Sequence, residues 1–161
     1  MKVVSDSTVL IGLAKIGKLE LLKQIFGEIL IPNAVFVEVV EKGRGRPGGK
    51  EVENAKWIRK RTVRDRRTVE MFFAEMGRGE AEVLALGKEM HADWFLLDDE
   101  RARNTATSAG FHVIGLGGIL LLAKQLEFVS SLKPLLDELE SKNFRLGIKI
   151  RKEILRKANE R

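Results

Sequence analysis

The chain has 161 residues, no cysteine and a formal net charge of +6. One domain of that length buries most of its apolar surface without disulfides, and the missing thiols exclude thiolate zinc sites, cysteine nucleophiles and thiol redox chemistry. The charge is uneven: residues 42–67 carry a net +8 and residues 145–161 a net +5, which leaves the rest acidic. Such a layout suits a polyanion drawn towards clustered carboxylates, although solvated surface charge explains either basic stretch equally well.

In chain order, residues 2–5 read as a buried strand, followed by a helix from Ser7 to Ile16 that Gly17 stops. A second helix, Lys18–Phe26, places Leu19, Leu22 and Phe26 on one face, and a strand over Glu28–Ile31 follows. Pro32 is tolerated in a first helical turn and opens a helix to Glu41. The glycine-rich basic segment 42–50 reads as a flexible loop, and Lys56–Val63 as an edge strand. Helices over Thr68–Met76 and Glu80–Met90 are separated by Gly77-Arg78-Gly79. A strand at Trp94–Leu97, a helix at Glu100–Ala109, a strand at Phe111–Ile114 and a helix within Gly115–Leu126 come next. Two amphipathic helices, Ser131–Ser141 and Ile148–Ala158, close the chain. Strands alternating with helices in this way predict one α/β domain over residues 1–161 with a covered parallel sheet. The start MKVVSDSTVL is not a signal peptide, and no uncharged stretch reaches membrane-spanning length, so a soluble, cytoplasmic protein is expected.

Two strands run straight into aspartate, the first into Asp6 and the Trp94–Leu97 strand into Asp98 and Asp99. Ligands of open α/β sheets bind beyond the carboxyl ends of the strands, so these acids are expected to share a crevice. Acids gathered there raise one another's pKa unless a cation sits among them, and a divalent metal is the simplest occupant. Asp6 fits either a metal ligand or a helix cap; the ligand reading is favoured because Ser7 and Thr8 could cap instead. Asp99 is the better cap of the acidic pair, which leaves Asp98 for the crevice. On pattern alone Glu38 reads equally as a solvent-facing residue, and Glu80 as a charge favoured at a helix start. RGRPGGKE lacks a phosphate-binding loop's first glycine and final hydroxyl, and IGLGGIL has Leu120 where a dinucleotide fingerprint needs its third glycine. His91 and His112 have no partner at ligand spacing.

Taken together, VVSDSTVLIGLAKIG, LIPNAVFVEVV, GRGEAEVLALGKE and FLLDDERARNTATSAGFHVIGLGGILLLAK resemble the PIN domain, in their order and spacing. This is the metal-dependent ribonuclease fold of VapC-type toxins, and the likeness is nearest to prokaryotic PIN-like proteins described as predicted nucleic-acid-binding. The resemblance implies a three-layer α/β/α sandwich with a central parallel sheet and a C-terminal helical pair at about residues 131–158. It also implies a catalytic and metal-binding set of Asp6, Glu38, Glu80 and Asp98, with Asp99 the neighbouring acid and Glu82 a rival to Glu80. The implied ion is Mg²⁺ or Mn²⁺ and the implied reaction is hydrolysis of phosphodiester bonds in single-stranded RNA. Ser7, Arg44, Arg46, Lys50, Arg101 and Arg103 are the expected RNA contacts, although Arg101 and Arg103 could instead pair with Glu100. An antitoxin protein and a second copy of the chain are the expected partners. The alternative is a PIN-like RNA-binding or partner-binding module with little or no cleavage. A phosphoacceptor receiver domain fits poorly, because the acidic pair falls late and Ile114 is followed by glycine instead of lysine.

Overall fold

The strands that end in aspartate form the middle of the sheet. In the computed structural model, which describes residues 1–161, β1 (Val3–Ser5) is wholly buried and pairs with β2 (Ile29–Pro32) on one side and β4 (Trp94–Leu96) on the other. Beyond these lie β3 (Ile58–Arg61) and β5 (Val113–Ile114), giving the order β3-β2-β1-β4-β5 with every neighbour parallel. Parallel strands covered on both faces read as continuous apolar runs, which is how Ile29–Ile31 and Phe95–Leu97 appear.

The covering helices are α1 (Ser7–Lys15), α2 (Glu20–Phe26), α3 (Asn33–Phe36), α4 (Gly49–Asn54) and α5 (Arg66–Phe73) from the first half of the chain. The second half adds α6 (Arg78–Met90), α7 (Glu100–Ser108), α8 (Leu116–Gln125), α9 (Lys133–Ser141) and α10 (Ile148–Lys157). The result is the three-layer α/β/α sandwich with a parallel sheet that the sequence predicts. A single apolar cluster runs from Val3 through Phe95 to Leu155, so α9 and α10 share the core of the rest. No helix is long and apolar enough to cross a membrane.

The chain lays down β1, β2 and β3 outward in one direction, then returns to place β4 and β5 on the other side of β1. The reversal falls between β1 and β4, and a crevice opens at that switch point beyond their carboxyl ends. Asp6 and Asp98 follow those two ends.

Several boundaries differ from the sequence reading. Pro32 is the last residue of β2, extended and opposite Arg61, instead of lying in the first helical turn; a missing N–H is harmless at a strand end. α3 continues as a π-helical turn over Val37–Glu41. The glycine-rich segment is irregular only to Gly48; Gly49 opens α4, where the Glu51 carboxylate accepts the Gly48 N–H at 2.7 Å. α5 begins at Arg66 because the Asp65 side chain caps it, accepting the Thr68 N–H at 3.1 Å. β5 is only Val113–Ile114; Phe111 stacks on Phe95 and His112 lies against Trp94 instead of joining the strand.

Candidate active site

Asp6 is 2% exposed, at the point where β1 turns into α1. Its Oδ1 accepts the Val9 N–H at 2.9 Å, so Asp6 itself is the helix cap, a place that Ser7 or Thr8 could have taken. The reason is conformational: Asp6 has the extended backbone an N-cap needs, while Ser7 is already helical. Its Oδ2 accepts the Asp98 N–H at 2.9 Å and ties the ends of β1 and β4 together. Capping does not exhaust the carboxylate, since each oxygen has a second lone pair. Burial pushes the Asp6 carboxyl up to about 7 against the pull of its two N–H donors, and the charges of Asp98 and Glu80 push the same way.

Asp98 is partly buried, and its Oδ1 accepts the N–H of Leu116, the first residue of α8, at 2.9 Å. Burial raises its pKa too, opposed by that N–H and by the Arg103 guanidinium. Gly115 makes this approach feasible: a Cβ there would come within 2.7 Å of Asp98 Oδ1 and collide with the Arg103 guanidinium. Asp99 is exposed and caps α7, its Oδ1 accepting the Ala102 N–H at 2.9 Å.

The two glutamates lie at the opening of α6. Glu80 is half-buried and folded back over the helix start, its Oε2 lying 2.5 Å from where a Cβ on Gly77 would stand. Glu38 is exposed on the π-helical turn, its Oε2 lying 3.4 Å from the corresponding point on Gly79. The Glu80 charge is near enough to be felt at Asp6, and Glu38 is beside the glycine before Glu80. As the side chains lie, no three acidic or histidine groups are close enough together to hold a metal ion.

Glu82, the rival to Glu80, has other partners. It is 5% exposed, with Oε1 accepting the Ala34 N–H at 3.1 Å and Oε2 paired with Arg66 at 3.3 Å. It fastens α6 to the first turn of α3 and the start of α5. Nothing in the sequence marks Arg66 as its partner, because the contact joins two helices through tertiary packing.

The expected RNA contacts are scattered. Ser7 is buried in the first turn of α1. Arg103 lies beside Asp98, donating weakly to the Leu97 carbonyl at 3.5 Å, whereas Arg101 donates to the Glu75 carbonyl at 3.1 Å; neither pairs with Glu100. Arg44, Arg46 and Lys50 are exposed on the glycine-rich segment and the first turn of α4. Two cation–π pairs escaped the sequence reading: the Lys60 ammonium lies 4.4 Å from the Phe36 ring centre and the Arg78 guanidinium 4.6 Å from that of Phe73.

A family model described as a PIN domain matches residues 2–160. Comparisons with curated proteins and with solved structures give no match.

Proposed function

This chain belongs to the PIN-domain family, whose members are in general nucleases that use divalent metals, and we propose that it is a Mg²⁺- or Mn²⁺-dependent endoribonuclease acting on single-stranded RNA. The observation that carries the reading is the Asp6–Asp98 pair: two acids at the switch point, linked through the Asp98 N–H, both with raised pKa, and with Glu80 adding its charge to Asp6. An acid with a pKa of about 7 is half-ionised at neutral pH and gains most from a cation that stabilises its charged form. The donors are all carboxylate oxygens, the ligand chemistry of hard ions that keep several waters.

Asp6 and Asp98 would hold the ion, joined by Glu80 once its side chain swings in from its folded-back position over Gly77, with Glu38 and Asp99 at the rim. A bound divalent cation would supply activation of water and charge neutralisation at the phosphate. Asp6 gives up its proton to become a full anion, while its N–H bonds from Val9 and Asp98 keep it oriented. Arg103, beside Asp98, offers a positive charge to the departing oxygen. Arg44, Arg46 and Lys50 supply sequence-independent attraction for the RNA backbone. A toxin role, with an antitoxin protein as partner and a second copy of the chain in the assembly, extends this reading and rests on the likeness to VapC-type members.

One observation favours a second reading, a PIN-type RNA-binding module with little or no cleavage: the carboxylates are not drawn together into a ligand set. The experiment is cleavage of a panel of single-stranded RNAs, double-stranded RNA and single-stranded DNA with Mg²⁺, Mn²⁺ or EDTA. The nuclease reading expects metal-dependent cleavage of the single-stranded RNAs that Asp6→Asn abolishes. Binding without cleavage under every metal condition favours the module, and cleavage that persists in EDTA rejects the metal mechanism.

A further inference from the structure

Each cation–π pair includes a residue two positions before one of the glutamates. Phe36 precedes Glu38 by two residues and Arg78 precedes Glu80 by two, a spacing that puts the members of each couple on different sides of a helix. Glu80 lies against Gly77 and Glu38 against Gly79, both at the start of α6. Phe36 reaches away from them to Lys60 on the edge strand β3, and Arg78 reaches to Phe73 at the end of α5. Lys60 sits within an exposed basic row, Arg59-Lys60-Arg61, on the outermost strand of the sheet.

On the other side Phe73 is 41% exposed, large for an aromatic ring with a charged partner already on it. It borders a groove of about 480 Å³ that is also lined by Met76, Gly77, Asp99 and Arg101. The Arg101 guanidinium is held at that wall by the Glu75 carbonyl, and the Asp99 carboxylate there is bonded to the Ala102 N–H. The groove adjoins the candidate active site, since Gly77 lies under the Glu80 carboxylate and Asp99 follows Asp98.

We propose that Lys60–Phe36 and Arg78–Phe73 are two base-stacking grips that hold a single-stranded RNA on either side of the carboxylates. The inference rests on the reading of RNA as substrate and adds where the strand is held. Phe73 is exposed and Phe36 is half-buried against the core; aromatic faces reachable from solvent stack any base, and guanidinium or ammonium groups beside them take the phosphates, a combination used for single strands without strong sequence choice. A duplex keeps its bases stacked on each other and cannot use such a grip, so the pairs give a physical reason for a single-strand preference.

The test is binding in EDTA, followed by fluorescence anisotropy, of labelled twelve-nucleotide oligoadenylate and oligouridylate to the full chain and to Phe73→Leu, Phe36→Leu, Arg78→Gln and Lys60→Gln. Each Phe→Leu change is expected to weaken oligoadenylate binding about tenfold and oligouridylate less, because the purine has the larger face to lose. Arg78→Gln and Lys60→Gln should each lower the slope of log affinity against log salt by about 0.7. Both residues are exposed, so these variants report even where a phenylalanine change impairs folding. If the wild type binds RNA and all four variants match it in affinity and slope, the grips are wrong while the nuclease reading stands; an exposed Phe73 that serves a protein partner gives this result. If the wild type binds neither oligonucleotide, the RNA reading fails and the grips fail with it.

Discussion

Asp6→Asn should reverse its effect on stability between pH 4 and pH 8 when no metal is present. The folded protein holds the Asp6 proton to about pH 7, whereas the unfolded chain releases it near the ordinary aspartate value of 3.8. Folding therefore takes up a proton between those values, and the stability Asp6 provides in acid is lost as pH rises through about 7. Three units at 1.36 kcal/mol each amount to about 4 kcal/mol. Asparagine does not titrate, so the variant escapes that loss. Its Oδ1 can still accept the Val9 N–H, but its Nδ2 then faces the Asp98 N–H, a conflict of donors that costs about 2 kcal/mol. The variant should be about 2 kcal/mol less stable than wild type at pH 4 and about 2 kcal/mol more stable at pH 8. Urea unfolding of both proteins in EDTA across that range measures the difference directly, and the titrating groups that do not sense the Asp6 charge cancel because both chains share them. Parallel pH profiles would refute the reasoning, since they would mean that Asp6 is ionised in the folded state without strain.

Glu160 should act in the opposite sense. Lys124, Ser131 and the Leu132 and Lys133 N–H groups hold its carboxylate at about 2, despite the cost of its burial, so its stability is present above about pH 4.5 and is lost as pH falls towards 2. With the carboxylate 13% exposed and its lysine 27% exposed, screening trims the contribution to about 2 kcal/mol; Glu160→Gln should lower stability by that amount at pH 7 and by nothing near pH 2 in thermal melts. Glu82→Gln should cost about 1–3 kcal/mol by breaking the Arg66 pair, whereas Glu80→Gln should leave the melt unchanged or raised while reducing cleavage. Replacing Arg44, Arg46 and Lys50 together with alanine should weaken RNA binding across all sequences and flatten its salt dependence, as a salt titration of affinity would record.

The sheet and the order of its elements were legible because apolar runs bounded by Gly, Pro and Asp mark buried strands whatever surrounds them. The acids after β1 and β4 were legible for the same reason: a carboxylate following a buried strand stands out. Which oxygen takes which N–H was not, because Asp6 meets Asp98 across 92 positions of chain and only the β1–β4 pairing brings them together. Glu80 and Glu82 could not be separated from one strand of text, since both lie on the first turns of α6 and only the packing of α3 and α5 distinguishes them. The Asp65 cap puts the start of α5 at Arg66, two residues before Thr68, because its side chain accepts the Thr68 N–H. The pairing of Phe36 with Lys60 and of Phe73 with Arg78 leaves no periodic trace in the sequence.

Binding of Mn²⁺ to the metal-free protein, followed by the electron paramagnetic resonance of the free ion, tests the candidate site most directly. The site requires an ionised Asp6, so affinity should weaken about tenfold for each pH unit below about 7. Saturation should raise the melting temperature at pH 8, because the ion binds the folded chain alone. Asp6→Asn and Asp98→Asn should each remove this binding while the protein stays folded. Mn²⁺ bound equally well by Asp6→Asn, or no binding by the wild type at millimolar ion, would contradict a metal centre at the β1–β4 switch point.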